Sequence, residues 1–238
     1  MMKQYKLKLV VGVFFSFCMI FYSFNINYIR GRASCPDLYE LLRDITGGIY
    51  GYSSVQGYLV IYLILFLVLL NILIRIHENS YMILRKRTRL QLLKDRRNVL
   101  IPFTLCFVAL HILVLIIGCY IAVGMDTCKD LAFFALLHGV VIFIFYCNVG
   151  LWFYLFSDIF QNTEKAIIFV SLLFIVFYFY NRIVCNYSFI NDLMVMDALL
   201  SHKLTYVKLF TTILKYIISF GLLNYIDGIV IKRRDILA

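Results

Sequence analysis

The chain has 238 residues, of which 63% are hydrophobic and only 15% are charged, and its formal net charge is +10. Soluble domains are about 45–50% apolar and about 25% charged, so this composition excludes a soluble enzyme domain, a disordered chain and a disulfide-stapled secreted domain. A very apolar chain whose few charges are mostly basic is typical of a multi-pass membrane protein and not of a nucleic-acid-binding protein.

Six stretches are long and apolar enough to cross a bilayer, which requires about 20 mostly apolar residues in a helix. In chain order they are residues 9–29, 57–74, 99–123, 131–156, 166–184 and 210–231. Because a helix satisfies its backbone polar groups internally, helices are the expected spanning elements. The predicted fold is therefore all-α, a polytopic membrane helix bundle of about six transmembrane helices in a single integral domain.

The basic residues that flank these stretches predict the orientation, since cytoplasmic loops carry an excess of Lys and Arg. The densest basic cluster lies between the second and third stretches, within residues 75–98. Placing this cluster in the cytoplasm also places the basic N-terminal residues and Lys232, Arg233 and Arg234 there. Both termini are predicted to be cytoplasmic.

Polar side chains inside the spans are costly, at about 2.5–3.5 kcal/mol for a charged group at a helix centre. His111 lies near the middle of the third span and His138 in the outer third of the fourth. A neutral imidazole bonded to a nearby carbonyl or hydroxyl is the favoured interpretation, and a functional intramembrane site is the alternative. Asn148 is interpreted as an interhelical hydrogen-bonding residue rather than a substrate ligand.

Metal and cofactor sites are not expected. No carboxylate accompanies the two histidines at ligand spacing, and the chain contains no GxxxxGK[ST], HExxH or GxSxG motif. We therefore expect a protein that is not an enzyme. Cys35, Cys128 and Cys185 fall one in each predicted outer loop, and their odd number leaves a disulfide open.

Three segments resemble the ABC-2 type permease subunits of bacterial ABC transporters, in particular the bacteriocin-related and antimicrobial-peptide-related permeases. The basic run Ile83-Leu84-Arg85-Lys86-Arg87-Thr88-Arg89 is similar to a stretch common after their second span. A helix-prone segment, residues 189–203, precedes the last span. The ending Ile231-Lys232-Arg233-Arg234-Asp235-Ile236-Leu237 resembles the basic and acidic ending of many such subunits.

This resemblance implies a permease of the bacterial cell membrane that pairs with a second permease subunit, identical or different, and with cytoplasmic ATPase subunits. These partners would hydrolyse ATP, and the chain itself would bind no cofactor. The residues expected to couple it to the ATPases are Arg85, Lys86, Arg87 and Arg89, with Arg233, Arg234 and Asp235 fixing the cytoplasmic end. An amphipathic substrate such as an antimicrobial peptide is expected.

Two alternatives remain open. One is a stand-alone membrane immunity or partner-binding protein that works without ATPases. The other is a membrane-embedded enzyme that uses His111, His138 or acids of the outer loops. Alanine substitution of the two histidines separates the enzyme from the other two functions, and copurification of an ATPase separates the permease from the partner-binding protein.

Overall fold

The computed structural model describes residues 11–23, 46, 52–77, 89–123, 131–184, 193, 198 and 206–233. These residues are almost all helical, and they include no β-strand. The helices are α1 (Val11–Ser23), α2 (Leu63–His77, continuous with a π-helical stretch Gly57–Tyr62), α3 (Arg89–Val123), α4 (Leu131–Phe160), α5 (Thr163–Val184) and α6 (Tyr206–Arg233). The all-α prediction is confirmed.

Five of these helices, α2 to α6, are long and apolar enough to cross a membrane, whereas α1 is a shorter apolar helix as described. Length decides this, because a bilayer core about 30 Å thick needs about 20 residues at a rise of about 1.5 Å each. The chain is a multi-pass membrane protein.

The helix α3 begins at Arg89, although the apolar stretch predicted from the sequence begins only at residue 99. The additional turns carry basic residues, and hydropathy alone therefore excludes them from the span. They are nevertheless anchored, because Leu92 and Leu93 are buried together with Ile231 of α6. Part of the predicted inner loop is thus the beginning of a helix.

The chain divides into two compact units. Unit 1 comprises Met1–Tyr58, Cys106–Ile142 and Phe189–Leu209. Its core includes aromatic side chains of α1 and of the residues before α2, packed on α3. Phe17 meets Phe107 edge to face with ring centroids 5.0 Å apart, and Phe21 meets Tyr52 in the same way at 5.1 Å.

Unit 2 comprises Leu59–Leu105, Phe143–Ser188 and Phe210–Ala238. Its core is also aromatic, and the ring of Phe66 lies 5.2 Å from Phe103 and 4.9 Å from Tyr146. Phe145 contacts Phe174 of α5 and Tyr216 of α6 edge to face. Such edge-to-face pairs contribute about 0.5–1.5 kcal/mol each beyond the area that they bury.

Candidate functional site

Unit 1 contains a buried cluster of Tyr58, His111 and His138, which we call the histidine–tyrosine cluster. The hydroxyl of Tyr58 lies 2.9 Å from Nε2 of His111 and 2.7 Å from Nε2 of His138. All three side chains are buried. The structure thus brings the two intramembrane histidines of the sequence to a single hydroxyl.

Local sequence places Tyr58 at this point. Ser54 caps the start of the helical stretch, because its hydroxyl accepts a hydrogen bond from the Gly57 amide at 3.1 Å. The Ser54 carbonyl accepts a second bond from the amide of Tyr58. The next residues form the π-helical stretch Gly57–Tyr62, a rare geometry that occurs frequently at functional sites.

Aromatic rings enclose the imidazole of His111. Tyr52 stacks on it with ring centroids 4.5 Å apart and planes 8° from parallel, and Phe17 meets it edge-on at 5.4 Å. The Tyr52 hydroxyl donates a hydrogen bond to the backbone carbonyl of His111 at 3.4 Å. These contacts hold the ring in one orientation within a low-dielectric surrounding, where hydrogen bonds are stronger than in water.

Unit 2 contains a buried ion pair between Arg96 and Asp158. Nη1 of Arg96 donates to Oδ2 of Asp158 at 2.6 Å, and Nη2 donates to Oδ1 at 3.0 Å. The side chains are only 4% and 0% exposed. Tyr154 completes the site, since the Arg96 guanidinium lies 5.2 Å from the centre of its ring and its hydroxyl donates to the Arg96 carbonyl at 3.2 Å.

A second arginine, Arg75, binds the other end of the connection between α4 and α5. Nη2 of Arg75, near the end of α2, donates to Oε1 of Glu164 at 2.8 Å, and this pair is exposed. We define the α4–α5 turn as residues 158–164, so that it begins with Asp158 and ends with Glu164. Arg75 and Arg96, which flank the basic segment 78–88 in sequence, therefore both bind this one turn.

The α4–α5 turn has its own local determinants. Gln161 adopts a left-handed backbone conformation with φ of 51°, which ends α4. Asn162 then caps α5, because its side-chain oxygen accepts hydrogen bonds from the amides of Glu164 and Lys165 at 2.9 and 3.1 Å. The connection between α4 and α5 is therefore short, and the carboxylates of Asp158 and Glu164 lie at its two ends.

The remaining predicted site residues have separate places. Nδ2 of Asn148 on α4 donates to the carbonyl of Tyr216 on α6 at 3.1 Å, which is an interhelical hydrogen bond. Arg89 and Arg233 are terminal residues of α3 and α6. Eight of the residues singled out above lie outside the described part of the chain: Arg85, Lys86, Arg87, Arg234, Asp235, Cys35, Cys128 and Cys185.

Both sites contain residues that the sequence alone did not indicate. Tyr58 is one of 18 tyrosines, and no local pattern distinguishes it. Arg96 was counted with the cytoplasmic basic residues, although it is buried. The available signal was Asp158, an isolated acid that lies two residues after the apolar stretch 131–156 and needs a cationic partner if it is buried.

Known proteins give no assignment. No protein-family model, no curated protein and no solved structure matches the chain. Within the described ranges, no three His, Cys, Asp or Glu side chains form a group that could hold a metal ion. Function must therefore be argued from the two sites.

Proposed function

We propose that the protein is the membrane-spanning permease subunit of an ATP-driven exporter in a bacterial cell membrane. It would couple partner ATPases to the movement of an amphipathic substrate such as an antimicrobial peptide. A second permease subunit, identical or different, would complete the pathway. In this proposal the chain performs no catalytic step, and the ATPases supply the energy.

The observation that carries this proposal is the double attachment of the α4–α5 turn. Arg75 and Arg96 stand on either side of the basic segment 78–88, and both bind carboxylates of that turn. The two helix ends that border the segment are therefore joined to the same structural element. The predicted orientation, with both termini in the cytoplasm, places Arg75, Arg96 and this turn on the cytoplasmic side.

A coupling element has to be stiff to transmit movement from a partner to the spans. The basic residues from Arg89 onward belong to α3, which continues without a break to Val123. The Arg96–Asp158 pair fixes this helix to α4, and the exposed Lys94 and Arg97 stand on the same turns. A partner that displaces this end of α3 would consequently displace membrane-spanning residues as well.

The experiment is purification of the full chain in a mild detergent, followed by mass spectrometry of the accompanying proteins. The wild-type chain is expected to retain an ATPase. A triple variant, Arg85→Glu, Arg87→Glu and Arg89→Glu, should insert normally but lose the ATPase, because a cationic docking surface becomes anionic.

The matched control is Lys3→Glu, Lys6→Glu and Lys8→Glu, which makes the same charge change at the N-terminus. It should retain the ATPase. If the wild-type chain brings down no ATPase, or if the arginine variant retains it fully, the proposed coupling role is wrong.

A further inference from the structure

Three cationic residues near the start of α3 differ in what surrounds them. Arg96 is buried and paired with Asp158. Lys94 and Arg97, its close neighbours in sequence, are exposed, and neither forms an ion pair or a hydrogen bond within the described part of the chain. The proposed function assigns no contact to these two side chains. Both cations are therefore available to a ligand.

Helix geometry places the two exposed cations on one face. Successive residues of an α-helix are turned by about 100°, so Lys94 and Arg97 lie about 60° apart, whereas Arg96 lies about 160° from Lys94. Residues three apart are neighbours, with Cβ atoms about 5–6 Å from each other. Asp95, the acid of this turn, is turned about 100° from Lys94, on the side away from Arg97. The two cations can consequently reach one anion together.

The burial of Arg96 keeps this face turned outward. Its two hydrogen bonds to Asp158 join α3 to α4 and fix how α3 is rotated. The residues that follow on the exposed face are apolar, since Ile101 is 42% exposed and Leu105 is 59% exposed. Both lie within about 20° of Lys94 around the helix. The same face is therefore basic near the start of α3 and apolar farther along.

The length of this face matches one leaflet of a bilayer. Leu105 lies about 16 Å from Lys94 along the helix axis, at a rise of about 1.5 Å per residue. The hydrocarbon core of a bilayer is about 30 Å thick, so one leaflet contributes about 15 Å. When the cations lie at the level of the lipid headgroups, Ile101 and Leu105 lie at the depth of the acyl chains.

We propose that Lys94, Arg97, Ile101 and Leu105 form a binding site for an anionic phospholipid, the α3 lipid site. The two cations hold the headgroup phosphate, and an acyl chain lies along the two apolar side chains. A free phosphate would leave the apolar part unused, and a soluble protein would have to enter the bilayer to reach Leu105. A negative headgroup is favoured because each Lys or Arg near the membrane surface attracts anionic lipid.

The first test compares two lipids on the wild-type chain. The full chain, purified in a neutral detergent, is titrated with phosphatidylglycerol or with phosphatidylcholine, and native mass spectrometry measures the bound lipid. Phosphatidylglycerol should bind more tightly. Excess inorganic phosphate should leave it bound, because phosphate lacks the acyl chain. Equal affinity for the two lipids, or displacement of phosphatidylglycerol by phosphate, would overturn the proposal.

The second test removes the two cations. The double variant Lys94→Gln and Arg97→Gln should bind phosphatidylglycerol about 30-fold more weakly than the wild-type chain, which is about fivefold for each cation. Both side chains are exposed, so the melting temperature should be unchanged. Wild-type affinity in this variant would overturn the site.

The matched control is the double variant Lys165→Gln and Lys208→Gln. It removes one exposed cation from α5 and one from α6, and its net charge equals that of the α3 variant. It should bind phosphatidylglycerol like the wild-type chain. Equal weakening in the two variants would show that net charge alone attracts the lipid, which would contradict a site on α3. These measurements use the chain alone, so they do not depend on an ATPase partner.

Discussion

At the scale of single residues, the Arg96–Asp158 pair illustrates what burial of charge requires. Removing an ion from water costs several kcal/mol even after relaxation, and only good geometry with further hydrogen bonds offsets that cost. The pair has two N–H···O bonds, one to each carboxylate oxygen, and the Tyr154 ring lies beside the guanidinium. The exposed Arg75–Glu164 pair, whose side chains are 58% and 72% exposed, needs no such support.

This contrast leads to a stability prediction. Asp158→Asn removes the carboxylate charge that pairs with the buried Arg96 guanidinium, and it should lower the free energy of unfolding by about 3–5 kcal/mol. Glu164→Gln, the matched control, should cost about 0–1 kcal/mol because water screens that pair. Thermal melting of the detergent-solubilised variants measures both effects. Wild-type melting in Asp158→Asn would contradict the assigned burial.

At the scale of elements, a glycine allows α1 to approach α3 closely. The Phe21 ring occupies the space that a Cβ on Gly118 would need. Small residues at helix contacts are a common feature of membrane proteins, since they permit close approach of the backbones. Phe21 in turn meets Tyr52, which stacks on His111, so this contact extends to the histidine–tyrosine cluster.

Gly118→Ala should therefore destabilise unit 1. The added methyl group overlaps the Phe21 ring, and overpacking of this kind typically costs about 1–3 kcal/mol. Gly12→Ala is the matched control in α1, because no atom of the described residues outside the local helix backbone lies within 4 Å of a Cβ placed there. Melting temperatures of the two variants provide the measurement. Equal melting temperatures for the two variants would contradict the predicted overpacking at Gly118.

At the scale of the whole molecule, the predicted orientation can be tested with cysteines. The three cysteines of the predicted outer loops should react with a membrane-impermeant maleimide on intact cells, and their odd number ensures that at least one thiol is not in an intramolecular disulfide. In a chain with Cys35, Cys128 and Cys185 replaced by serine, Gln161→Cys should react only after the membrane is opened. Labelling of that variant on intact cells would reverse the orientation.

The sequence predicted the helices far better than the contacts between them. Apolar stretches of sufficient length indicate spans by themselves, and α2 with its π-helical stretch, like each of α3 to α6, contains one of the predicted stretches. Arg96 and Asp158 lie 62 positions apart, and His138 lies 80 from Tyr58. Which polar side chains meet depends on how the helices pack, and the periodicity of a single helix carries no information about that.

The two arginine contacts have a consequence for evolution and engineering. Arg75 and Arg96 fix the chain on both sides of segment 78–88 by binding one turn. Closing a longer loop between fixed ends adds only about 0.6 kcal/mol for each doubling of its length. We expect this segment to tolerate inserted epitopes or length variation among related chains better than the α4–α5 turn, where a single added residue would separate Asp158 from Glu164.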